Sequence, residues 1–226
     1  MSPNRVPVLL VAAAASAVLI ADVAVAATWH DDKKAPSTVA ATGPSPTPTP
    51  RPTPTSTAPT ATGTLAKGQG VSMRLARGWT VTPRETKDYS DFLARVAKDN
   101  PTLAAELKKD LAVAAKHNYA IHAVGLPVGT NLNVQVIQEP VDVDLARPTV
   151  ETQLGKLAGK TLKITTVELP SGHALKVDYS LNLAGVTVYG TQYYLSNGVV
   201  TAIVTFTLRV RRPAEVASMM QSFAFD

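Results

Sequence analysis

The chain has 226 residues and a formal charge of +5, from 22 basic and 17 acidic side chains, and it contains no cysteine. The lack of cysteine excludes disulfides, thiol nucleophiles, cysteine-based zinc sites and lipid attachment through an N-terminal cysteine. Aromatic residues make up only 5% of the chain and the basic residues are dispersed, which argues against a nucleic-acid surface.

Arg5 and the amino terminus form a weakly positive flank before the apolar run Val6 to Ala21, which Asp22 interrupts and Val23 to Trp29 resumes. Two readings fit residues 1–29. In one, Val8 to Ala21 is the apolar stretch of a secretory signal, and Ala24-Val25-Ala26 is its small-residue cleavage site. In the other, Val6 to Trp29 stays in place as a membrane tether with Trp29 in the interfacial aromatic belt. Both send the remainder out of the cytoplasm, because the positive flank stays inside. Residues 30–64 read as a disordered linker, built from Ala35 to Gly63 almost wholly of Pro, Thr, Ser, Ala and Gly, with eight of the 17 prolines between Pro36 and Pro59. Such a composition buries no core, and as polyproline II at about 3.1 Å per residue the proline segment reaches up to roughly 80 Å.

Residues 65–226 suffice for one domain with its own core, and 18 basic against 14 acidic side chains leave it +4. A strand over Gly70 to Ala76 runs into a Gly78-Trp79 turn, with Trp79 as a core anchor. Two helices follow: Tyr89, Phe92, Leu93, Val96 and Ala97 share one face, and Leu103, Leu107, Leu111 and Ala114 share another, with Asn100 and Pro101 starting the second. Asn118 to Gly125 and Leu132 to Gln138 pair as strands around a Pro127 to Gly129 turn, and a short helix after Pro148 ends at Gly159.

Four strands come next. Leu175, Val177, Tyr179, Leu181 and Leu183 alternate with Lys176, Asp178, Ser180 and Asn182, so one face is packed. Turns at Ala184-Gly185 and Asn197-Gly198, the second predicted as type I′, fold these strands into a meander whose longest member is Val199 to Val210. Pro213 opens a terminal helix with Val216, Met219, Met220 and Phe223 at helical spacing. Strand, helices, two strands, helix, four strands, helix, joined mostly by hairpins, is an α+β order: a mainly antiparallel sheet with flanking helices in an α/β/α-type sandwich.

This order, the opening Val71-Ser72-Met73-Arg74-Leu75-Ala76-Arg77-Gly78-Trp79, the strand Asn131-Leu132-Asn133-Val134-Gln135-Val136 and the closing helix resemble the PsbP-like fold. Within it, the chain looks most like the LpqN-type lipoproteins of actinobacterial cell envelopes. The resemblance covers residues 70–226 and implies a non-catalytic accessory or binding role, with no catalytic motif to carry over. The chain departs from those lipoproteins in having no cysteine to lipidate. Any anchoring therefore falls to Val6 to Trp29.

The search for chemistry agrees with that role. The domain histidines are His117, His122 and His173, and no G-x-S-x-G marks a nucleophile. His117 reads as a helix cap, and His122 and His173 as structural. Glu139, Asp142 and Asp144 lack the glycine and the ligand density of a calcium loop and read as a solvated strand edge, so no metal or other cofactor is expected. The candidate binding residues are Tyr189, Tyr193 and Tyr194, with Tyr193 and Tyr194 on opposite strand faces, and Arg209, Arg211 and Arg212 ahead of the terminal helix. The expected partner is an envelope or extracellular protein or a small ligand, and not nucleic acid. A small-molecule or lipid carrier and, behind it, an envelope hydrolase stand as the alternatives.

Overall fold

A computed structural model of the chain describes residues 60–83, 88–99, 101–114, 117–127, 129–158, 161–183 and 186–226. The expected signal or tether over Val6 to Trp29, most of the linker and the Ala184-Gly185 turn lie outside the described residues. Among the described residues no helix is long and apolar enough to cross a membrane.

Strands β1 (Leu65–Gly68), β2 (Val71–Arg74) and β10 (Ala224–Phe225) form a small antiparallel sheet in the order β1-β2-β10, joining the two ends of the folded region. The larger sheet orders β3 (Thr80–Val81), β4 (Ile121–Gly125), β5 (Thr130–Ile137), β9 (Thr201–Leu208), β8 (Val186–Ser196), β7 (Gly172–Leu183) and β6 (Lys163–Leu169). Every neighbouring pair in it is antiparallel. The helices are α1 (Tyr89–Asp99), α2 (Pro101–Ala114), α3 (Val143–Ala158) and α4 (Pro213–Met220). The α+β class and the mainly antiparallel sheet therefore hold.

Period-two alternation gives the large sheet two apolar faces. Its first face carries Leu132, Val134, Tyr193, Val204 and Phe206, packed with Met73 and Leu75 of the small-sheet region and with Val216, Met219 and Met220 of α4. Trp79 is buried here as expected, edge-on to Phe206, with its Nε1 donating to Glu215 Oε1 at 2.8 Å. On the second face, Val143, Ala146, Val150 and Leu154 of α3 cover Leu175, Val177, Tyr179, Tyr194 and Ile203. Beyond them Phe92, Leu107 and Leu111 of α1 and α2 cover Val124. All eight residues of β9 are buried, because this strand lies in mid-sheet with both faces covered.

Four expectations need correction. The helix expected after Pro148 begins at Val143 and takes that proline inside it. Its start is fixed by Asp142, whose Oδ1 accepts the backbone N–H groups of Asp144 and Leu145 at 3.0 and 3.3 Å. Asp142 is thus a helix cap and Asp144 a first-turn residue, not parts of a strand edge. The Asn197-Gly198 turn is a four-residue loop: Asn197 keeps negative φ, Gly198 has φ +84°, and Asn197 Oδ1 accepts the N–H groups of Val199 and Val200. A type I′ turn needs positive φ at both central residues. The strand read as Val199 to Val210 shortens to Thr201–Leu208 as a result. Finally, β1, β3 and β10 are strands of two to four residues, too short to carry a periodicity.

Candidate functional site

Cross-strand register builds a polar depression on the first face that collects basic residues. Along β7 the even-numbered residues share this face: Asp178 pairs with Lys163 of β6 and Thr191 of β8, Lys176 with Tyr193, and Ser180 with Tyr189. The result is a groove of about 300 Å³ lined by Lys163, Lys176, Asp178, Tyr189, Thr191 and Leu208, with Arg211, Arg212, Pro213 and Val216 as the facing wall. Leu208 and Val216 give it an apolar inner end, and the four cations form its rim.

The groups in the groove are ordered by contacts with one another. Asp178 Oδ1 accepts the Thr191 hydroxyl at 2.8 Å, and its Oδ2 lies 2.8 Å from Lys176 Nζ. The Arg211 guanidinium lies over the Tyr189 ring at 4.8 Å. Arg212 Nη2 donates to the Leu126 carbonyl at 2.7 Å and its Nη1 lies 3.5 Å from Glu215 Oε1, which pins the start of α4 to the end of β4. Four cations facing one carboxylate leave the groove strongly positive, which favours anions and disfavours cations.

Of the six residues expected to bind, the structure brings Tyr189, Arg211 and Arg212 together here. It does not bring in the other three. Tyr193 and Tyr194 do point to opposite faces as expected, but each is buried in a core, at 3% and 2% exposure, so neither lines a groove. Burial pushes both phenols well above the ordinary tyrosine range, as it does that of Tyr179, so all three stay protonated. Tyr194 donates its hydroxyl to Gln192 Oε1 at 2.8 Å. Arg209 lies outside the groove, with its side chain against Gly129. The residues missed from sequence are Lys163, Lys176, Asp178 and Thr191. For Lys176 and Asp178 the only signal was alternation on the polar side of β7; Lys163 on β6 and Thr191 on β8 had none.

The histidines separate. His122 is largely buried, with Nδ1 2.8 Å from the Thr82 hydroxyl and its ring stacked on Tyr119 at 5.9 Å. Desolvation lowers its pKa to about 4, so it is neutral at pH 7. His173, at the β6–β7 turn, has Nδ1 2.7 Å from Glu168 and Nε2 3.2 Å from Asp144. The Glu168 hydrogen bond raises its pKa against a smaller desolvation effect, and the charges of Asp144 and Glu168 add to the rise. His117 lies beyond α2, stacked on Tyr119 at 5.6 Å, with its backbone N–H on the Ala114 carbonyl. One histidine thus has a hydroxyl and the other two carboxylates. Among the described residues no group of three or more His, Asp and Glu side chains is placed to hold a metal ion.

A second polar array crosses the other face of the large sheet. His122, Asn133, Thr205 and Gln192 are successive cross-strand partners, with Asn131 and Thr207 in the next row. Thr205 and Gln192 are fully buried, and Asn131, Asn133 and Thr207 nearly so. This array separates the core under α3 from the one under α1 and α2. Among the described residues the Thr205 hydroxyl has no hydrogen-bond partner.

No protein-family model and no curated protein matches the sequence. Among solved structures, the fold is similar to a protein from Bacteroides thetaiotaomicron VPI-5482, at TM-score 0.40 and 7% identity over 71% of this chain and 48% of that one. It is also similar to LpqN, described as involved in cell envelope biogenesis of Mycobacterium tuberculosis, at TM-score 0.40 and 10% identity over 68% and 82% of the two chains. The chain spans about half the length of the Bacteroides protein. Superpositions this loose assign neither a fold family nor an activity.

Proposed function

We propose that the folded region is a non-catalytic accessory or binding domain working outside the cytoplasm, and that it engages an anionic envelope component through the groove between β6–β7–β8 and the start of α4. The observation that carries this reading is the convergence of Lys163, Lys176, Arg211 and Arg212 around a single pinned carboxylate, Asp178. A PsbP-like assignment and the delivery of the domain by an N-terminal signal or tether and a Pro/Thr spacer belong to the same proposal.

The local chemistry supports binding over catalysis. His122 has a hydroxyl partner without a carboxylate, and His173 has carboxylates without a hydroxyl, so neither has the base, nucleophile and orienting acid that acyl transfer needs. The buried positions of Tyr193 and Tyr194 favour a surface binder over a carrier with a tyrosine-lined interior. The test is cross-linking capture from intact cells of the source organism, with the full chain as bait beside a Lys176→Glu/Arg211→Glu variant. The proposal expects a reproducible partner that the variant loses. Capture that the variant retains, or no reproducible partner, would refute it.

A further inference from the structure

We infer that the groove takes a hydroxyl-bearing anion, a phosphate or carboxylate group with a hydroxyl beside it, as on an anionic carbohydrate or polyol. This deepens the proposed function and rests on it. Two features of the groove specify the two halves of the ligand.

The anionic half follows from the cations. Arg212 is occupied with Leu126 and Glu215, and Lys176 with Asp178. Lys163 and Arg211 are exposed and have no carboxylate partner among the described residues. Lys163 is the register partner of Asp178 on the edge strand β6, and Arg211 rises from the opposite wall over Tyr189. An anion seated between them gains two charge-assisted contacts that displace no existing ion pair, and Lys176 lies at the same rim. The cation–π contact limits where Arg211 moves and holds its guanidinium at the groove wall.

The hydroxyl half follows from Asp178. A site for a bare anion has no use for a carboxylate at its centre, which repels the ligand. Here Asp178 is held from two sides, by the Thr191 hydroxyl on one oxygen and Lys176 on the other, and its side chain is still 37% exposed to the groove. Each carboxylate oxygen has a second acceptor site, so Asp178 offers a fixed acceptor to a donor on the ligand. A ligand with an anionic end for Lys163 and Arg211 and a hydroxyl for Asp178 satisfies both. The volume agrees: about 300 Å³ is roughly ten times the share of one water molecule in the liquid, enough for a group of about ten non-hydrogen atoms.

The experiment is amide chemical-shift titration of the isotopically labelled full chain, in non-ionic detergent at low salt, with four probes: glycerol 3-phosphate, methyl phosphate, glucuronate and glycerol. A ligand of this size in an open groove is expected to bind with Kd of about 1 mM or tighter. The inference predicts that glycerol 3-phosphate or glucuronate shifts the amides around Asp178 and Thr191, the response to each identifying a phosphate or a carboxylate ligand. Methyl phosphate binds about tenfold to a hundredfold more weakly than glycerol 3-phosphate, the worth of one hydrogen bond to a charged acceptor. Glycerol alone gives no shift. Lys163→Gln/Arg211→Gln abolishes the response without moving the thermal denaturation curve, since both side chains are exposed. Asp178→Asn removes the difference between glycerol 3-phosphate and methyl phosphate. Equal affinity for those two probes, shifts that survive Lys163→Gln/Arg211→Gln, or no response to any anion at about 10 mM would overturn it. If cellular capture still depends on the groove while these titrations fail, this inference falls and the proposed function stands.

Discussion

Tyr179 and Gly190 are register partners across β7 and β8, and the phenol ring lies across the glycine, which therefore has room for no side chain. In Gly190→Ala the new Cβ would fall 2.6 Å from Tyr179 Cε1 and closer still to Cζ and Cε2. Ordinary carbon contacts are about 3.5–4.0 Å, so the ring must retreat by roughly 1 Å or more. It has nowhere to go: Tyr179 is 6% exposed, in the core under α3, and β8 is an interior strand held on both sides. Overpacking of this kind costs about 1–3 kcal/mol, and this overlap, with three ring atoms, falls at the upper end. The smaller unfolded-state entropy of alanine returns about 0.5–1 kcal/mol. The net expectation is a loss of about 2 kcal/mol, lowering Tm by roughly 4–8 °C for a domain of this size. Urea denaturation of the parent, Gly190→Ala, Tyr179→Leu and the double variant measures it. Shortening the ring should make room for the methyl group, so in the Tyr179→Leu background Gly190→Ala should cost under about 0.5 kcal/mol. Additive losses in the double variant would show that the ring over the glycine is not what excludes a side chain there.

Three further outcomes follow from buried and paired groups. His122, neutral in the folded state with a pKa near 4, binds protons more readily when unfolded, so its contribution is present above pH 6.5 and is lost as pH falls toward 4. The loss is at most about 3 kcal/mol, and His122→Asn should flatten that part of the stability profile measured between pH 7 and 4; an unchanged slope would assign acid lability elsewhere. His173 has the opposite sign: its raised pKa means that pairing with Glu168 and Asp144 stabilises below the unfolded pKa and fades as pH rises through the folded value. The Tm difference between the parent and His173→Gln should therefore be largest below pH 6.5 and shrink as pH rises above it. Thr205→Val removes a fully buried hydroxyl that has no partner among the described residues and keeps the side chain's shape, so calorimetry should find stability unchanged or raised by up to about 1 kcal/mol; a clear loss would mean the hydroxyl is bonded.

Much of the fold was legible because local chemistry repeats. The Leu175 to Leu183 alternation marks β7, the Tyr89 to Val96 spacing marks α1, and Pro213 with Val216, Met219 and Met220 marks α4. The start of α3 was misplaced, because Pro148 offered a start that local rules favour and Asp142, its actual cap, read as part of a solvated strand edge. The Asn-Gly pair signalled a hairpin correctly and its turn type incorrectly, since the asparagine side chain satisfies two backbone N–H groups and so stabilises a longer loop.

Sequence by itself determined which residues alternate, where helices and hairpins fall, and that Tyr193 and Tyr194 part to opposite faces, because these depend on neighbours within a few positions along the chain. Only the tertiary structure decided what covers each face. Alternation gives a direction for a side chain but not its surroundings, so the two tyrosines went to cores while Tyr189, near the start of β8, stayed at a groove. The groove itself joins Lys163, Asp178, Thr191 and Arg211, which are dispersed charges and hydroxyls in the linear chain. Antiparallel register and the return of the chain into α4 bring them within reach of one ligand. The pairing of β2 with β10 was invisible for the same reason, since contacts between the two ends of a domain leave no short-range signature.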